Sequence, residues 1–261
     1  MVNLTTLDLL LSSLFILLLA FLSYRHRVKL EKKILFSSLR AALQLLFVGM
    51  VLQTVFNYNS IYLVATISML MVLLAGYEIQ ARQQRRFLGG WGYLNGTVAI
   101  FISSMATALF ALLFIIEYDP WHHPQYAIPL LGMLLGNTMN GISLGMDRLT
   151  SSVWQQRRVI EARLAMGESA DSAIRNLRDE AIRTGMIPIL NSMAAAGIIS
   201  LPGMMTGQIL AGAAPLEAVK YQIMILFLIA GGTGLGVMAA VSLTAKRVFD
   251  SRDRLRLERI S

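Results

Sequence analysis

The sequence predicts an all-α, polytopic membrane protein with about seven transmembrane helices, and three observations carry that prediction. The 261 residues are 56% hydrophobic and 15% charged, with a mean hydropathy of +0.60; a soluble domain carries about a quarter charged residues. The apolar residues come in blocks, each near the ~20 residues that cross a bilayer. The basic residues collect between alternate blocks, the pattern that fixes membrane topology. One transmembrane domain over residues 1–261 accounts for the whole chain. The net charge of +8 is thereby explained by topology, and no nucleic-acid partner is expected. The absence of cysteine excludes a disulfide, a thiolate metal site and a catalytic thiol.

Seven blocks qualify as spans: about 4–23, 34–56, 61–80, 97–116, 126–146, 184–210 and 220–245. The first carries Asp8 and no basic stretch before it, so it is expected to be a span rather than a cleaved signal peptide. Its basic flank, Arg25 to Lys33, follows it and predicts an outward N-terminus. Inside segments are then 24–33, 81–96, 147–183 and 246–261. They hold five, three, seven and six Lys/Arg, 21 of the chain's 23. An inward C-terminus follows.

Span five reads Gly132-Met-Leu-Leu-Gly136-Asn137-Thr138-Met139-Asn140-Gly141, with Gly145 four residues further on. Paired glycines four apart permit close helix approach. Asn137 and Asn140 need partners in a bundle interior or a wet path, so they are candidate pathway residues; interhelical hydrogen bonding alone is the other reading. Span six contains Pro188 and Leu201-Pro202-Gly203, each proline removing a backbone hydrogen bond. The stretch 200–207 is either a broken or re-entrant segment or an ordinary proline kink. Gly231-Gly-Thr-Gly-Leu-Gly236 follows no strand, so close helix packing is expected there instead of dinucleotide binding.

Other polar residues divide similarly. Arg40 and Gln44 share a face of span two; Arg40 either snorkels to lipid phosphate or pairs internally, with Glu78 as a candidate. His122 and His123, with Glu117 and Asp119, form either a metal-capturing loop or a solvated interfacial one beside Trp121. Met204 and Met205 offer soft thioether ligands, although 15 methionines in the chain make packing their default role. No metal-ligand set is identified. Mid-span carboxylates and histidines are nearly lacking, which argues against a proton-coupled carrier.

The long polar stretch 147–183 is predicted as two helices about a glycine. The first runs from about Thr150 to Met166 and stops at Gly167. Ser169 caps the second, with Asp171 in its first turn. Ala170, Ala173, Ile174, Leu177, Ala181 and Ile182 make one apolar stripe. Such an element fits either a partner's groove or an anionic lipid surface.

Glu161-Ala162-x-x-x-x-Gly167 resembles the start of the EAA loop, through which ABC transporter membrane subunits grip their ATPases. The loop's later Ile-x-Leu-Pro is not matched: those positions read Leu177, Asp179 and Glu180. Over nearly the whole chain the sequence resembles the FetB family of ABC-type permeases. The shared stretches are Arg40-Ala-Ala-Leu-Gln-Leu, Gly132-Met-Leu-Leu-Gly-Asn137, Leu164-Ala-Met-Gly167, Ser200-Leu-Pro-Gly-Met-Met-Thr-Gly-Gln-Ile-Leu-Ala-Gly-Ala-Ala-Pro215 and Ala218-Val-Lys-Tyr-Gln-Ile-Met224.

That resemblance implies a multi-pass permease subunit of the bacterial inner membrane, working as a homodimer with a FetA-like ATPase and exporting iron or conferring metal or oxidative-stress resistance. Plant relatives imply aluminium tolerance, with a nucleotide sugar as the suggested cargo. The candidate coupling residues are Glu161, Ala162, Gly167, Ser169, Ile174 and Leu177. The candidate path residues are Gln44, Asn137, Asn140, Pro202, Met204 and Met205. The chain contains no Gly-x-x-x-x-Gly-Lys-Ser/Thr motif. It is therefore expected to be no enzyme and to hold no cofactor, with ATP and magnesium on the partner. A stand-alone channel or carrier, and a scaffold or signalling subunit without cargo, are the competing classes.

Overall fold

Thr5 and Asp8 cap each other at the start of the first helix, the Thr5 hydroxyl accepting from the Asp8 backbone and the Asp8 carboxylate from that of Thr5. Such a capping box satisfies two amides that would otherwise lack partners. The computed structural model describes residues 5–58, 60–116 and 119–259, and these form helices, turns and two isolated bridges without a strand. The chain divides into two packing units, 1–59 and 60–261. The first is a helical hairpin of α1 (Thr6–Arg25) and α2 (Glu31–Asn57). Its turn uses positive φ at Arg27 and Lys29, and Leu30 donates its backbone N–H to the Ser23 hydroxyl at 3.1 Å.

The second unit contains α3 (Ile61–Arg82), α4 (Trp91–Phe114), α5 (Pro124–Gln155), α6 (Arg157–Ala165), α7 (Ala170–Ala195), α8 (Gly203–Leu210) and α9 (Pro215–Arg247). α5 is the central column and packs against α3, α4, α7 and α9. It has 32 residues, so at ~1.5 Å per residue it is about 48 Å long, well beyond a ~30 Å hydrocarbon layer. Its surplus carries the polar sequence after residue 146.

Small residues set the helix spacings, as expected where lipid is as apolar as the side chains. A Cβ on Gly96 would lie 2.9 Å from Ile79 across α3 and α4. One on Gly236 would lie 2.6 Å from Thr138 and 2.8 Å from Ser103. Gly232, Thr233 and Gly234 are also buried in α9, so the 231–236 run packs helices. Of the span-five glycines, Gly141 and Gly145 pack closely on α7 and α9, whereas Gly136 has open space beside it.

Six described helices are long and apolar enough to cross a membrane: α1 to α5 and α9, the α4 span being counted from Leu88. The predicted sixth span, 184–210, is not one helix. α7 runs unbroken from the polar loop through Pro188 to Ala195, so the second loop helix and the start of that span are a single element. The Ser192 hydroxyl donates to the Pro188 carbonyl at 2.9 Å inside it. At Gly197, φ is +85° and the backbone N–H returns to the Ser200 carbonyl at 2.9 Å. Pro202, in extended conformation, then precedes α8, which packs on α9. The span is thus truly broken between Ala195 and Gly203, and 203–207 belong to α8. A proline kink would continue the helix axis, but extended backbone at Ala196 ends it, and left-handed backbone at Gly197 turns the chain away.

Candidate functional site

Side-chain contacts gather the basic segments of the second unit at one end of its bundle. The Gln84 backbone N–H donates to the Asp147 carboxylate at 2.7 Å, joining the α3–α4 loop to α5. Arg85 stacks over Trp154 at 4.2 Å, with Arg157 5.6 Å from the same ring. Arg247, closing α9, lies 3.6 Å from the Trp91 ring that opens α4. Cation–π contacts of this kind tie charged heads to a helix end without burying an unpaired charge. They fix the platform from which α6 projects.

α6 follows α5 after a bend at Gln156, where φ is −100° and ψ is 16°. It ends in a Schellman motif: the Glu168 backbone N–H returns to the Arg163 carbonyl at 3.2 Å and that of Gly167 to Leu164 at 3.0 Å. Gly167 has φ +91°, which is why glycine occupies that position. Ser169 caps α7, its hydroxyl accepting from Ser172 at 3.4 Å. Arg163 locks the turn: its guanidinium forks onto Glu168, at 3.1 and 2.8 Å, and donates to the Ala173 carbonyl at 2.9 Å. The Arg163 hydrogen bond holds the Glu168 carboxyl below its ordinary value, and Ser172 adds a smaller contribution.

The predicted coupling residues separate into two groups. Glu161 and Ala162 are exposed on α6, and Gly167 and Ser169 are exposed at the turn that follows it. Ile174 and Leu177 are 2% and 7% exposed, part of the face of α7 that packs into the bundle. Their stripe continues through Ala181 to Gly185 and Ile189, all buried. The predicted docking stripe of α7 is therefore used within the chain, because α5 and α9 flank it. A different apolar stripe remains free, on α6. Val159 and Met166 are 56% and 75% exposed, with Ala162 between them at spacings of three and four, while Ile160 anchors the opposite side at 1%. Sequence reasoning missed Val159 and Met166, although their spacing was visible; the longer α7 stripe outweighs them until packing is known.

The predicted path residues are also dispersed. Asn137 and Asn140 lie with Leu144 and Arg148 on one exposed face of α5. Asn137 donates to its own helix at the Met133 carbonyl, 2.8 Å away. Asn140 accepts from the Arg82 guanidinium, which lies 3.8 Å from Glu78. Arg148 pairs with Glu180 of α7. This polar seam on α3, α5 and α7 contrasts with the leucine-rich outer faces of α1 to α4. Gln44 belongs to the first unit. Pro202, Met204 and Met205 sit at the α8 break, the methionines half-buried.

Of the predicted metal-capture loop, Glu117 lies outside the described residues. His122 and His123 are half-buried before α5, and His122 meets Trp121 edge-on at 5.5 Å. Among the described residues no group of three His, Cys, Asp or Glu side chains is placed to hold a metal.

Comparison with known proteins agrees with this architecture. Residues 6–249 match the uncharacterised protein family UPF0014. The Synechocystis membrane protein slr1647, of that family, is 37% identical over 230 residues, 87% of each chain. The Escherichia coli protein named "Probable iron export permease protein FetB" is 31% identical over 97% of this chain and 95% of its own. The Arabidopsis thaliana protein ALUMINUM SENSITIVE 3 is 34% identical over 83% of this chain and 77% of its own. No solved structure matches. An all-helical bundle with this family match end to end makes the chain a member of the UPF0014 family of membrane proteins.

Proposed function

We propose that this chain is the membrane-spanning permease subunit of an ABC-type transporter, sited in a bacterial inner membrane with its basic end in the cytoplasm, and that it exports iron. The observation that carries the reading is the free apolar stripe of α6 on a rigid turn, in a chain 31% identical to a named iron export permease over 97% of its length. A short amphipathic helix presenting Val159, Ala162 and Met166 is what a partner's groove receives. The partner supplies ATP hydrolysis. Glu161 and Ala162 of α6, with Gly167 and Ser169 of the turn after it, are what it holds, and α7 carries its movement inward beside α5.

Cargo passes along the polar seam of Asn137, Asn140, Arg82 and Glu78. Charged and amide groups on a membrane helix need water or protein beside them. A second copy of the chain, meeting the first across that seam, supplies the other wall. Cargo movement through the homodimer depends on the partner's ATP cycle.

The test is coexpression with a FetA-like ABC ATPase, followed by reconstitution into vesicles. Stoichiometric ATPase capture and ATP-dependent ferrous iron flux are expected. Transport by the chain alone would establish a channel or carrier. Capture without flux of iron, with flux of aluminium, another metal or a nucleotide sugar, would keep the permease and replace the cargo.

A further inference from the structure

We infer that the C-terminal turn after α9 is a clamp that holds the first turn of α7 to the end of α9, with Asp253 as its positioning residue. The inference rests on the coupling role given to the α6–α7 turn, and it adds the element that ties that turn to the bundle.

The clamp is built from the sequence Phe249-Asp-Ser-Arg-Asp-Arg-Leu-Arg256. Phe249 and Leu255 form an antiparallel bridge, and the Arg256 backbone N–H returns to the Val248 carbonyl at 2.8 Å. Asp250 is the hub. Its carboxylate accepts from the backbone N–H groups of Arg252 and Arg254, each at 2.9 Å, and from the guanidinium groups of Arg254 and Arg256 at 2.9 to 3.1 Å. The Arg259 guanidinium donates to the Arg247 and Phe249 carbonyls at 3.0 and 3.1 Å, stitching the segment back onto α9.

One group of this cross-bonded turn reaches α7. Asp253, with φ +56°, points its carboxylate at α7, where it accepts from the Ala170 backbone N–H at 3.4 Å. That amide is among the first of the helix and has no intrahelical partner. A carboxylate also suits the positive end of the helix dipole. Between the first turns of α7 and the end of α9 lies a cavity of about 520 Å³, lined by Ile174, Arg178, Ala245, Lys246, Phe249 and Asp253 among others. The Asp253 bond spans the mouth of this cavity between α7 and the segment after α9. Movement imposed on the turn reaches α9 through this bond as well as through α7 itself.

The chain's lack of cysteine makes the test direct. In the complex with its ATPase, Asp253→Ala is expected to leave ATPase capture intact while lowering the turnover of the reconstituted complex at least about fivefold, with KM for ATP unchanged. Asp253→Asn keeps an oxygen acceptor and is expected to retain most of the turnover. The pair Ala170→Cys with Asp253→Cys, joined by a short bismaleimide, is expected to recover it. Full turnover in Asp253→Ala, or an inactive cross-linked pair that still captures the ATPase, would overturn the clamp. A second readout needs no ATPase: by hydrogen exchange, Asp253→Ala is expected to speed exchange at residues 170–174 and to leave α5 unchanged. No acceleration there would reject the clamp even if the coupling role stood; absence of ATPase capture by the wild-type chain would reject the coupling role alone.

Discussion

Gly141 of α5 and Gly185 of α7 meet backbone to backbone: a Cβ on Gly185 would lie 2.7 Å from the Gly141 carbonyl oxygen, and one on Gly141 would lie 2.9 Å from that of Gly185. Val237 of α9 closes the same contact, 2.7 Å from the added Gly185 carbon. Three helices therefore converge where no side chain fits on two of them. This point lies one turn beyond Asn137 on α5, alongside the polar seam.

Overpacking that contact has to separate the helices. Gly185→Leu is expected to destabilise the protein by at least about 1–3 kcal/mol, read as a lower melting temperature in detergent. Gly136→Ala, where nothing lies within 4 Å of the added carbon, serves as the control and is expected to melt like the wild type. Equal melting of the two variants would refute the close approach.

The α6 stripe is exposed, so charging it costs the folded chain little. Val159→Asp with Met166→Asp is expected to weaken ATPase capture at least about tenfold, equivalent to about 1.4 kcal/mol. The melting temperature should stay within error. Undiminished capture would move the docking face elsewhere. A reduced melting temperature would show instead that the stripe packs within the chain.

Gly167 holds the left-handed residue of the Schellman motif. A side chain there costs roughly 1–2 kcal/mol. Gly167→Ala is expected to loosen the turn, seen as faster hydrogen exchange at residues 164–168. Gly167→Trp, bulkier and on the exposed surface, is expected to abolish ATPase capture while membrane insertion remains normal. Capture by the tryptophan variant at wild-type strength would remove the turn from the interface.

Asp250 gives the C-terminal segment a defined pH response. The Arg254 backbone N–H, then the Arg252 N–H and the Arg254 guanidinium, hold its carboxyl far below the ordinary value of 3.8. A carboxylate depressed in the folded state stabilises it fully above the unfolded value and loses that contribution as pH falls toward the folded one. Protection of the 248–259 segment from proteolysis is therefore expected to be constant from pH 8 to pH 5. Asp250→Asn is expected to lose protection across that range. A wild-type transition near neutral pH would contradict this account.

Several elements were legible because they depend on short-range pattern. The capping role of Ser169 and the helix stop at Gly167 each follow from one residue whose backbone preference is strong, whereas the prolines around 200–207 left a break and a kink equally open. The packing role of the 231–236 glycines followed from their position inside an apolar block. The run-through of α7 was less visible, since Pro188 suggests an interruption, yet the helix accommodates it where Ser192 bonds the proline carbonyl.

The sequence by itself determined that this is an all-helical membrane protein, where most of its spans lie, and that its basic residues sit between them, because hydropathy and charge act residue by residue along the chain. Only the tertiary structure decided which amphipathic stripe is free. Ile174 and Leu177 face α5 and α9, while Val159 and Met166 face none. It also decided that the predicted sixth span is divided between α7 and α8 rather than built as one helix, and that Asp253 reaches the start of α7 across 83 residues of chain. Burial and long-range hydrogen bonds depend on which segments become neighbours, and spacing within one segment carries no record of that choice.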